Sequence, residues 1–204
     1  MKIKALTVGL LQTNCYILAD EKSGECAVID PGGDADRILP AIEGYKVKYI
    51  ILTHGHFDHY TAAQEVREKT GGKVLINKKD LYLLYTDIEE SAVFRRYNKP
   101  PEIDGYIEEG EDLTVGSLTL KVLNTPGHTK GSCVILCNNV MFSGDTLFLE
   151  SWGRCDLEGG DDADMRKSCL RLAELPDDYV VLPGHGESTR LSYEKDYNPI
   201  MQKI

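Results

Sequence analysis

One short segment of this chain carries an unusual density of side chains that bind metal ions. Residues 53–59 contain three imidazoles and one carboxylate, contributed by His54, His56, Asp58 and His59. Imidazole and carboxylate are the nitrogen and oxygen ligands that transition metals such as zinc take in proteins. Because so dense a cluster at ligand spacing is seldom accidental, the segment predicts a metal site.

The flanking sequence predicts where this segment lies in the fold. The mostly apolar, β-branched run over residues 47–52 is typical of a buried strand, and residues 61–70 show a helical pattern. The metal-binding side chains are therefore predicted to occupy a turn between a strand and a helix. This turn lies at the carboxyl edge of a sheet, where open α/β sheets place their sites.

The remaining two histidines and one further aspartate follow apolar runs in the same way. His128 and His185 each lie in a Gly/Pro turn after a predicted strand, and Asp145 follows the strand predicted over residues 140–143. The chain has only five histidines, so none is left over for a surface or a core. The sequence thus predicts that four separate strand ends each deliver a residue type that binds metal.

The order of these residues resembles that of the metallo-β-lactamase-fold hydrolase superfamily. The shared pattern is His-x-His-x-Asp-His at residues 54–59, a lone His128, Gly-Asp-Thr at residues 144–146 and Gly-His ending at His185. Within that superfamily the chain is most similar to the short glyoxalase II-like (hydroxyacylglutathione hydrolase-like) enzymes. That closer similarity rests on three stretches, residues 13–16, 30–32 and 153–161.

The resemblance implies an α/β fold of four layers. In this αβ/βα sandwich two mixed β-sheets lie face to face and the helices lie outside them. The sequence agrees, because each half of the chain has strands followed by a helical pattern.

Two metal ions are implied, because seven ligands are too many for one tetrahedral zinc, which takes four. The family pattern assigns three residues to each divalent ion and one carboxylate to both: His54, His56 and His128 for the first, Asp58, His59 and His185 for the second, and Asp145 as the bridge. Zinc is expected, although iron and manganese also accept imidazole and carboxylate ligands.

The activity that the resemblance implies is hydrolysis of a small thioester by a hydroxide that bridges the two metals. Asp58 would orient this hydroxide as a catalytic residue in addition to binding metal. The departing thiolate is a good leaving group and needs no strong general acid. Asp30, after the third predicted strand, would orient the metal loop by accepting hydrogen bonds, or would be only a turn residue.

Two residues are candidates for substrate binding. Arg154 stands where glyoxalase II enzymes place a lysine that contacts the glutathione carboxylate. It would bind a carboxylate bidentately or form only a surface salt bridge, with Asp156 or Asp161 as partner. Tyr60 stands where relatives often carry glycines, a difference that would change the entry into the following helix or place Tyr60 over the site as a substrate-binding residue. Residues 86–101 are predicted to form an insertion or a lid over the groove.

Other activities of the same fold remain alternatives. Persulfide dioxygenases also resemble this chain, and they use a single iron that here would be held by His54, His128 and Asp145. A lactonase or another ester hydrolase is a further alternative. A non-catalytic binding module is disfavoured because all seven ligand positions carry ligand residue types.

The composition limits the partners. The chain has 204 residues and a net charge of −10, which argues against nucleic acid or an anionic membrane because both need basic patches. No apolar run approaches the roughly 18 residues of a membrane span. We expect a cytoplasmic protein with a small-molecule substrate, and nothing in the sequence indicates an oligomeric state. We also expect a single domain over residues 1–204 that lacks the C-terminal glutathione-binding helical domain of full-length glyoxalase II.

Overall fold

The computed structural model describes residues 1–85 and 100–202. Its first sheet has six strands in the spatial order β1-β2-β3-β4-β5-β6. These strands are β1 (Lys2–Val8), β2 (Thr13–Asp20), β3 (Glu25–Ile29), β4 (Lys46–Ile51), β5 (Lys73–Ile76) and β6 (Gly105–Tyr106). β3, β4, β5 and β6 pair in parallel, so their carboxyl ends lie at the same edge of the sheet.

The second sheet also has six described strands, in the order β14-β13-β10-β9-β8-β7. They are β7 (Leu113–Val115), β8 (Leu118–Asn124), β9 (Cys133–Cys137), β10 (Val140–Gly144), β13 (Val180–Pro183) and β14 (Thr189–Arg190). β9 is antiparallel to both β8 and β10, and β13 is parallel to β10. The carboxyl ends of β8, β10 and β13 therefore share one edge. A short hairpin of β11 (Leu147–Phe148) and β12 (Ser151–Trp152) follows β10.

The two sheets pack face to face over an apolar core. Tyr16, Ile29 and Ile51 of the first sheet belong to the same buried cluster as Ile135 and Phe142 of the second. The rings of Tyr16 and Phe142 lie with centroids 5.4 Å apart. Burial of this apolar area is the main contribution that holds the two sheets together.

The outer faces of both sheets are covered by four described helices: α1 (Ala35–Ala41), α2 (Ala63–Thr70), α3 (Asp162–Ala173) and α4 (Leu191–Tyr197). Ile38 of α1 and Val66 of α2 pack on the first sheet. Met165 of α3 and Leu191 of α4 pack on the second sheet. The layer order is helices, sheet, sheet, helices, which confirms the predicted αβ/βα sandwich.

Strands with apolar residues on both faces explain this layering. In β2, Cys15 and Ile17 point to the helices, whereas Tyr16 and Leu18 point to the opposite sheet. Successive side chains of a strand point to opposite faces, so a continuously apolar strand must be covered on both. Of the segment predicted to be an insertion or a lid, residues 86–99 lie outside the described residues. None of the described helices has the length and apolarity that a membrane crossing requires.

Candidate metal centre

The chain turns into a buried loop directly after β4. This loop leads into a 3-10 turn over Phe57–His59 before α2 begins at Ala63. His54 and His59 are 1% and 0% exposed, and the side chains of His56 and Asp58 are also buried. Burying four polar side chains in one loop is costly unless they find partners, so the loop requires partners from elsewhere in the fold.

The second sheet supplies those partners from the same edge. His128 follows β8, Asp145 follows β10 and His185 follows β13. The imidazole rings of His56 and His128 lie with centroids 4.6 Å apart, and those of His59 and His185 lie 5.3 Å apart. Both sheets therefore deliver metal-ligand residue types to one point between them.

The seven predicted ligands form three overlapping groups in the described part of the chain. Within each group one nitrogen or oxygen atom per residue lies within 4.8 Å of the others: His54, His56 and His128; His54, His59 and Asp145; Asp58, His59 and His185. The first and third groups share no residue. Asp145 groups with one histidine of each, which is the placement that a bridging carboxylate requires.

The distances between these atoms suit ligands that surround a common ion. His59 Nε2 lies 3.5 Å from Asp58 Oδ2 and 3.4 Å from Asp145 Oδ1. Asp145 Oδ2 lies 3.6 Å from His128 Nε2 and 3.5 Å from His185 Nε2. Two ligand atoms that each lie about 2.1 Å from a tetrahedral ion are about 3.4 Å apart. These spacings fit a metal between the side chains, whereas His56 Nδ1 and His128 Nε2 lie 2.8 Å apart, within hydrogen-bond distance of each other.

Four buried atoms of the proposed ligands lack a hydrogen-bond partner within residues 1–85 and 100–202: His54 Nε2, His59 Nδ1, His59 Nε2 and Asp145 Oδ1. His59 Nδ1 faces Asp30, which leaves three atoms that face the other ligands. A buried polar atom left without a partner costs about 1–3 kcal/mol. A cation would satisfy all three atoms at once, so the donor set fits a divalent metal.

Burial favours the neutral imidazole at His54 and His56, whereas Asp58 and Asp145 outweigh burial and raise the pKa of His59 and of His185. Burial lowers the pKa of His56 to about 3, with the imidazole of His128 adding to the effect. Burial and the neighbouring His59 also hold the pKa of His54 well below its usual range. The neutral imidazole is the form that binds metal. Burial acts to raise the pKa of Asp58, but His59 and His185 outweigh it and keep that carboxyl ionised.

Asp30 lies behind the metal loop. Its carboxylate accepts hydrogen bonds from the Thr53 N–H at 2.8 Å and from Thr53 Oγ1 at 2.7 Å. Thr53 directly precedes His54 in the chain, so these bonds hold the start of the metal loop. Asp30 Oδ2 also lies 3.0 Å from His59 Nδ1, so the Nε2 atom of that ring faces the other ligands. This geometry matches the orienting role predicted for Asp30, which stays a prediction.

Several supporting residues were not predicted from the sequence. Thr13 Oγ1 donates to Asp58 Oδ2 at 3.1 Å, and the backbone carbonyl of Arg154 lies 2.7 Å from His128 Nδ1. Asp80 contacts both the loop of His54 and the loop that follows His128. It closes the 3-10 turn Lys78–Asp80 that follows β5, and the charged sequence of this turn, typical of a solvated loop, gives no signal of that role.

Arg154 lies at the rim of the centre. Its side chain is 61% exposed and forms two 2.7 Å hydrogen bonds to the carboxylate of Asp156. This is the salt bridge that the sequence left open as one of two possibilities. An exposed pair of this kind contributes little to stability and leaves the guanidinium accessible. Substrate binding by Arg154 remains a prediction.

The prediction that Tyr60 lies over the site is wrong. Tyr60 is 0% exposed and belongs to the apolar cluster between the first sheet and its helices. The 3-10 turn over Phe57–His59 directs the following residue away from the site edge and into that core. A fully buried ring offers no surface to a substrate, so Tyr60 is a packing residue.

The chain is similar to known proteins in sequence and in fold. The family model described as "Metallo-beta-lactamase superfamily" matches residues 8–185. The hydroxyacylglutathione hydrolase GloC of Haemophilus influenzae is 33% identical, and the match covers 98% of each chain. The BLEG-1 B3 metallo-beta-lactamase superposes with a TM-score of 0.87 at 32% identity, covering 99% of this chain and 100% of that one. TTHA1623, solved in a di-iron-bound form, has a TM-score of 0.85 at 32% identity, covering 96% and 98%.

Proposed function

This chain belongs to the metallo-β-lactamase superfamily, and from that premise we propose that it is a dinuclear metal-dependent hydrolase of small thioesters. The observation that carries the proposal is the division of seven side chains into two groups of three ligands with Asp145 between them. A site built for one ion would leave several of these buried side chains without a partner.

The thioester substrate is supported by likeness and by leaving-group chemistry. GloC, a hydroxyacylglutathione hydrolase, aligns with this chain over nearly the full length of both. A thiolate departs without a strong general acid. That property suits a centre whose ionisable side chains are proposed to be committed to metal binding.

The proposed metal ions and the residues around them have different roles in hydrolysis. When bound, divalent ions activate water as a nucleophile near neutral pH and polarise a carbonyl oxygen. Thr13 Oγ1 and His185 Nε2 each lie 3.1 Å from Asp58 Oδ2 and fix this carboxylate. Because its lowered pKa keeps it ionised, Asp58 is able to accept a hydrogen bond from the attacking water and orient it. Asp58 is therefore the proposed catalytic residue.

We propose zinc as the metal, on the basis of donor chemistry. The ligand set contains five imidazoles and two carboxylates, a combination that zinc accepts and that iron and manganese also accept. The di-iron form of the similar TTHA1623 makes iron the principal competitor.

Replacing His56 with alanine tests the ligand assignment. His56 is buried in the group that also contains His54 and His128, so its loss removes one of three ligands from the first ion. We expect hydrolysis of S-lactoylglutathione to fall by at least about a thousandfold, since metal activation supplies several kcal/mol of the catalysis. Bound metal should fall together with activity when both are measured on the same purified sample.

The matched control for this experiment is Asp36→Asn, an exposed position in α1 on the outer face of the first sheet. It should keep full activity and full metal. Retention of both activity and metal by His56→Ala would refute the assignment of His56 as a ligand.

Arg154→Ala tests recognition of the substrate's carboxylate. The exposed guanidinium is able to exchange Asp156 for a substrate anion and bind it with the same bidentate geometry. We expect KM for a glutathione thioester to rise roughly tenfold while KM for a neutral thioester stays constant. Asp156→Asn should instead lower KM for the glutathione thioester, because it removes the carboxylate that competes with the substrate for Arg154. Equal effects on charged and neutral substrates would exclude this role.

A further inference from the structure

Asp80 is a buried carboxylate beside the metal centre that belongs to none of its ligand groups. It closes a 3-10 turn over Lys78–Asp80 that follows β5, and it is 0% exposed. Its Oδ1 atom accepts a hydrogen bond from the Gly131 N–H at 2.6 Å. Its Oδ2 atom accepts from the Gly55 N–H at 3.0 Å and from Thr129 Oγ1 at 2.6 Å. A buried carboxyl group that accepts three hydrogen bonds is well satisfied.

The donors flank the ligands of the first ion, although the loop after β4 also carries Asp58 and His59 of the second group further along. Gly55 lies between His54 and His56 in the loop after β4 of the first sheet. Thr129 and Gly131 follow His128 in the loop between β8 and β9 of the second sheet. Asp80 therefore joins the loops of all three residues in the group of His54, His56 and His128. Within the described residues, each hydrogen bond that its carboxylate accepts comes from these two loops.

Close packing reinforces this connection. A Cβ atom placed on Gly131 would lie 2.6 Å from Asp80 Cγ, and one placed on Gly55 would lie 2.8 Å from the Asp80 carbonyl oxygen. Contacts that short do not occur between real side chains, so each loop approaches Asp80 as closely as its backbone permits.

The turn that carries Asp80 is itself fixed to both sheets. Asn77 follows β5, and its side chain accepts a hydrogen bond from the Lys79 N–H at 3.0 Å. The amide of Asn77 also donates to Asn124 Oδ1 at 3.0 Å, at the end of β8. These bonds limit movement of Asp80 relative to the loops on either side.

We infer that Asp80 is a positioning residue that sets the spacing between His128 and the pair His54 and His56, and thereby the affinity of the first metal position alone. This inference rests on the proposed two-metal centre. The group of Asp58, His59 and His185 is supported by other residues, namely Thr13 and Asp30. Asp30 also accepts hydrogen bonds from Thr53, next to His54, and therefore borders both groups. Among the residues that the structure describes, the carboxylate of Asp80 accepts only from donors beside His54, His56 and His128, so a change at Asp80 should act on the first position.

Asp80→Asn is the direct test, because the amide cannot reproduce the carboxylate in either orientation. One amide orientation places its NH2 group against the Gly131 N–H, and the other places it against the Gly55 N–H and Thr129. Loss of such a supporting contact typically weakens metal binding by about 10–100-fold. In zinc competition titrations with a chelator, the wild type should bind two ions and the variant should show one ion weakened by that factor.

Double variants assign the weakened ion. Asp80→Asn should show non-additive effects on zinc affinity with His128→Ala, which belongs to the same group, and additive effects with His185→Ala, which belongs to the other. Additivity with both histidines would contradict a selective role.

Asp20→Asn is the matched control. Asp20 is also a buried aspartate that links the two sheets, since its carboxylate accepts from the Ser117 N–H at 2.8 Å. It lies at the opposite end of β2 from Thr13, roughly 23 Å away at about 3.3 Å per residue. If Asp80 were only structural, both substitutions would lower thermal stability and neither would weaken one zinc ion selectively.

A second variant covers the case in which Asp80→Asn fails to fold. Thr129→Val removes one donor and keeps the carboxylate, so it should weaken the same zinc ion by a smaller factor. If the wild type binds two ions and neither variant changes their affinities, the role of Asp80 is refuted and the proposed function stands. If the wild type binds no zinc, the proposed centre itself fails.

Discussion

Asp145→Ala should lower kcat/KM for thioester hydrolysis by at least about a thousandfold and reduce the metal content. The carboxylate of Asp145 lies between the two ligand groups, 3.4 Å from His59 Nε2 through Oδ1 and 3.6 Å from His128 Nε2 through Oδ2. Its removal takes away a proposed ligand of both ions and a negative charge that offsets them. Steady-state kinetics and metal analysis on the same sample measure both effects.

Asp145→Asn serves as the matched variant, because it keeps the size of the side chain and removes its charge. It should lower kcat/KM and metal content less than alanine does, since one amide oxygen remains as a ligand. A kcat/KM within tenfold of wild type, with two ions still bound to the alanine variant, would contradict a bridging role for Asp145.

Gly184→Ala should disable the centre through packing alone. A Cβ at this position would lie 2.2 Å from Asp145 Oδ1 and 2.7 Å from His59 Cε1, so both proposed ligands must move. Overpacking of this kind costs about 1–3 kcal/mol of folding stability. We expect a lower melting temperature together with loss of metal and of hydrolysis, measured by thermal unfolding, metal analysis and kinetics.

Gly186→Ala separates crowding from backbone strain in the same loop. Gly186 has φ +74, which an L-residue adopts only at a cost, but a Cβ there meets nothing within 4 Å. The control should lose some stability and keep its metal. If Gly184→Ala bound metal as well as Gly186→Ala does, the tight approach to Asp145 and His59 would have no functional consequence.

The proposed ligands were predictable from sequence because the relevant signals are local. His54, His56, Asp58 and His59 fall within one short loop, and the other three follow apolar runs that are readily predicted as strands. Strands that run in the same direction bring their ends to one edge, so local patterns were sufficient to bring distant residues together. The predicted fold and family are confirmed, and the assignment of each ligand to an ion remains a prediction.

The errors concern residues whose roles depend on packing. Asp80 sits in Lys78-Lys79-Asp80, a charged run that is typical of a solvated turn, yet its three donors come from distant parts of the chain. Tyr60 follows the metal motif directly, yet the intervening 3-10 turn places its ring in the core. In both cases the side chain's direction is set by long-range contacts, which periodicity does not encode.

The metal content of the purified protein tests the central claim most directly. Elemental analysis should be paired with measurement of oxygen consumption during turnover of a thioester panel that includes S-lactoylglutathione. We predict two divalent ions per chain and hydrolysis without oxygen uptake. A single iron with stoichiometric oxygen uptake would contradict the dinuclear hydrolase and favour an oxygenase, in which His54, His128 and Asp145 hold the iron.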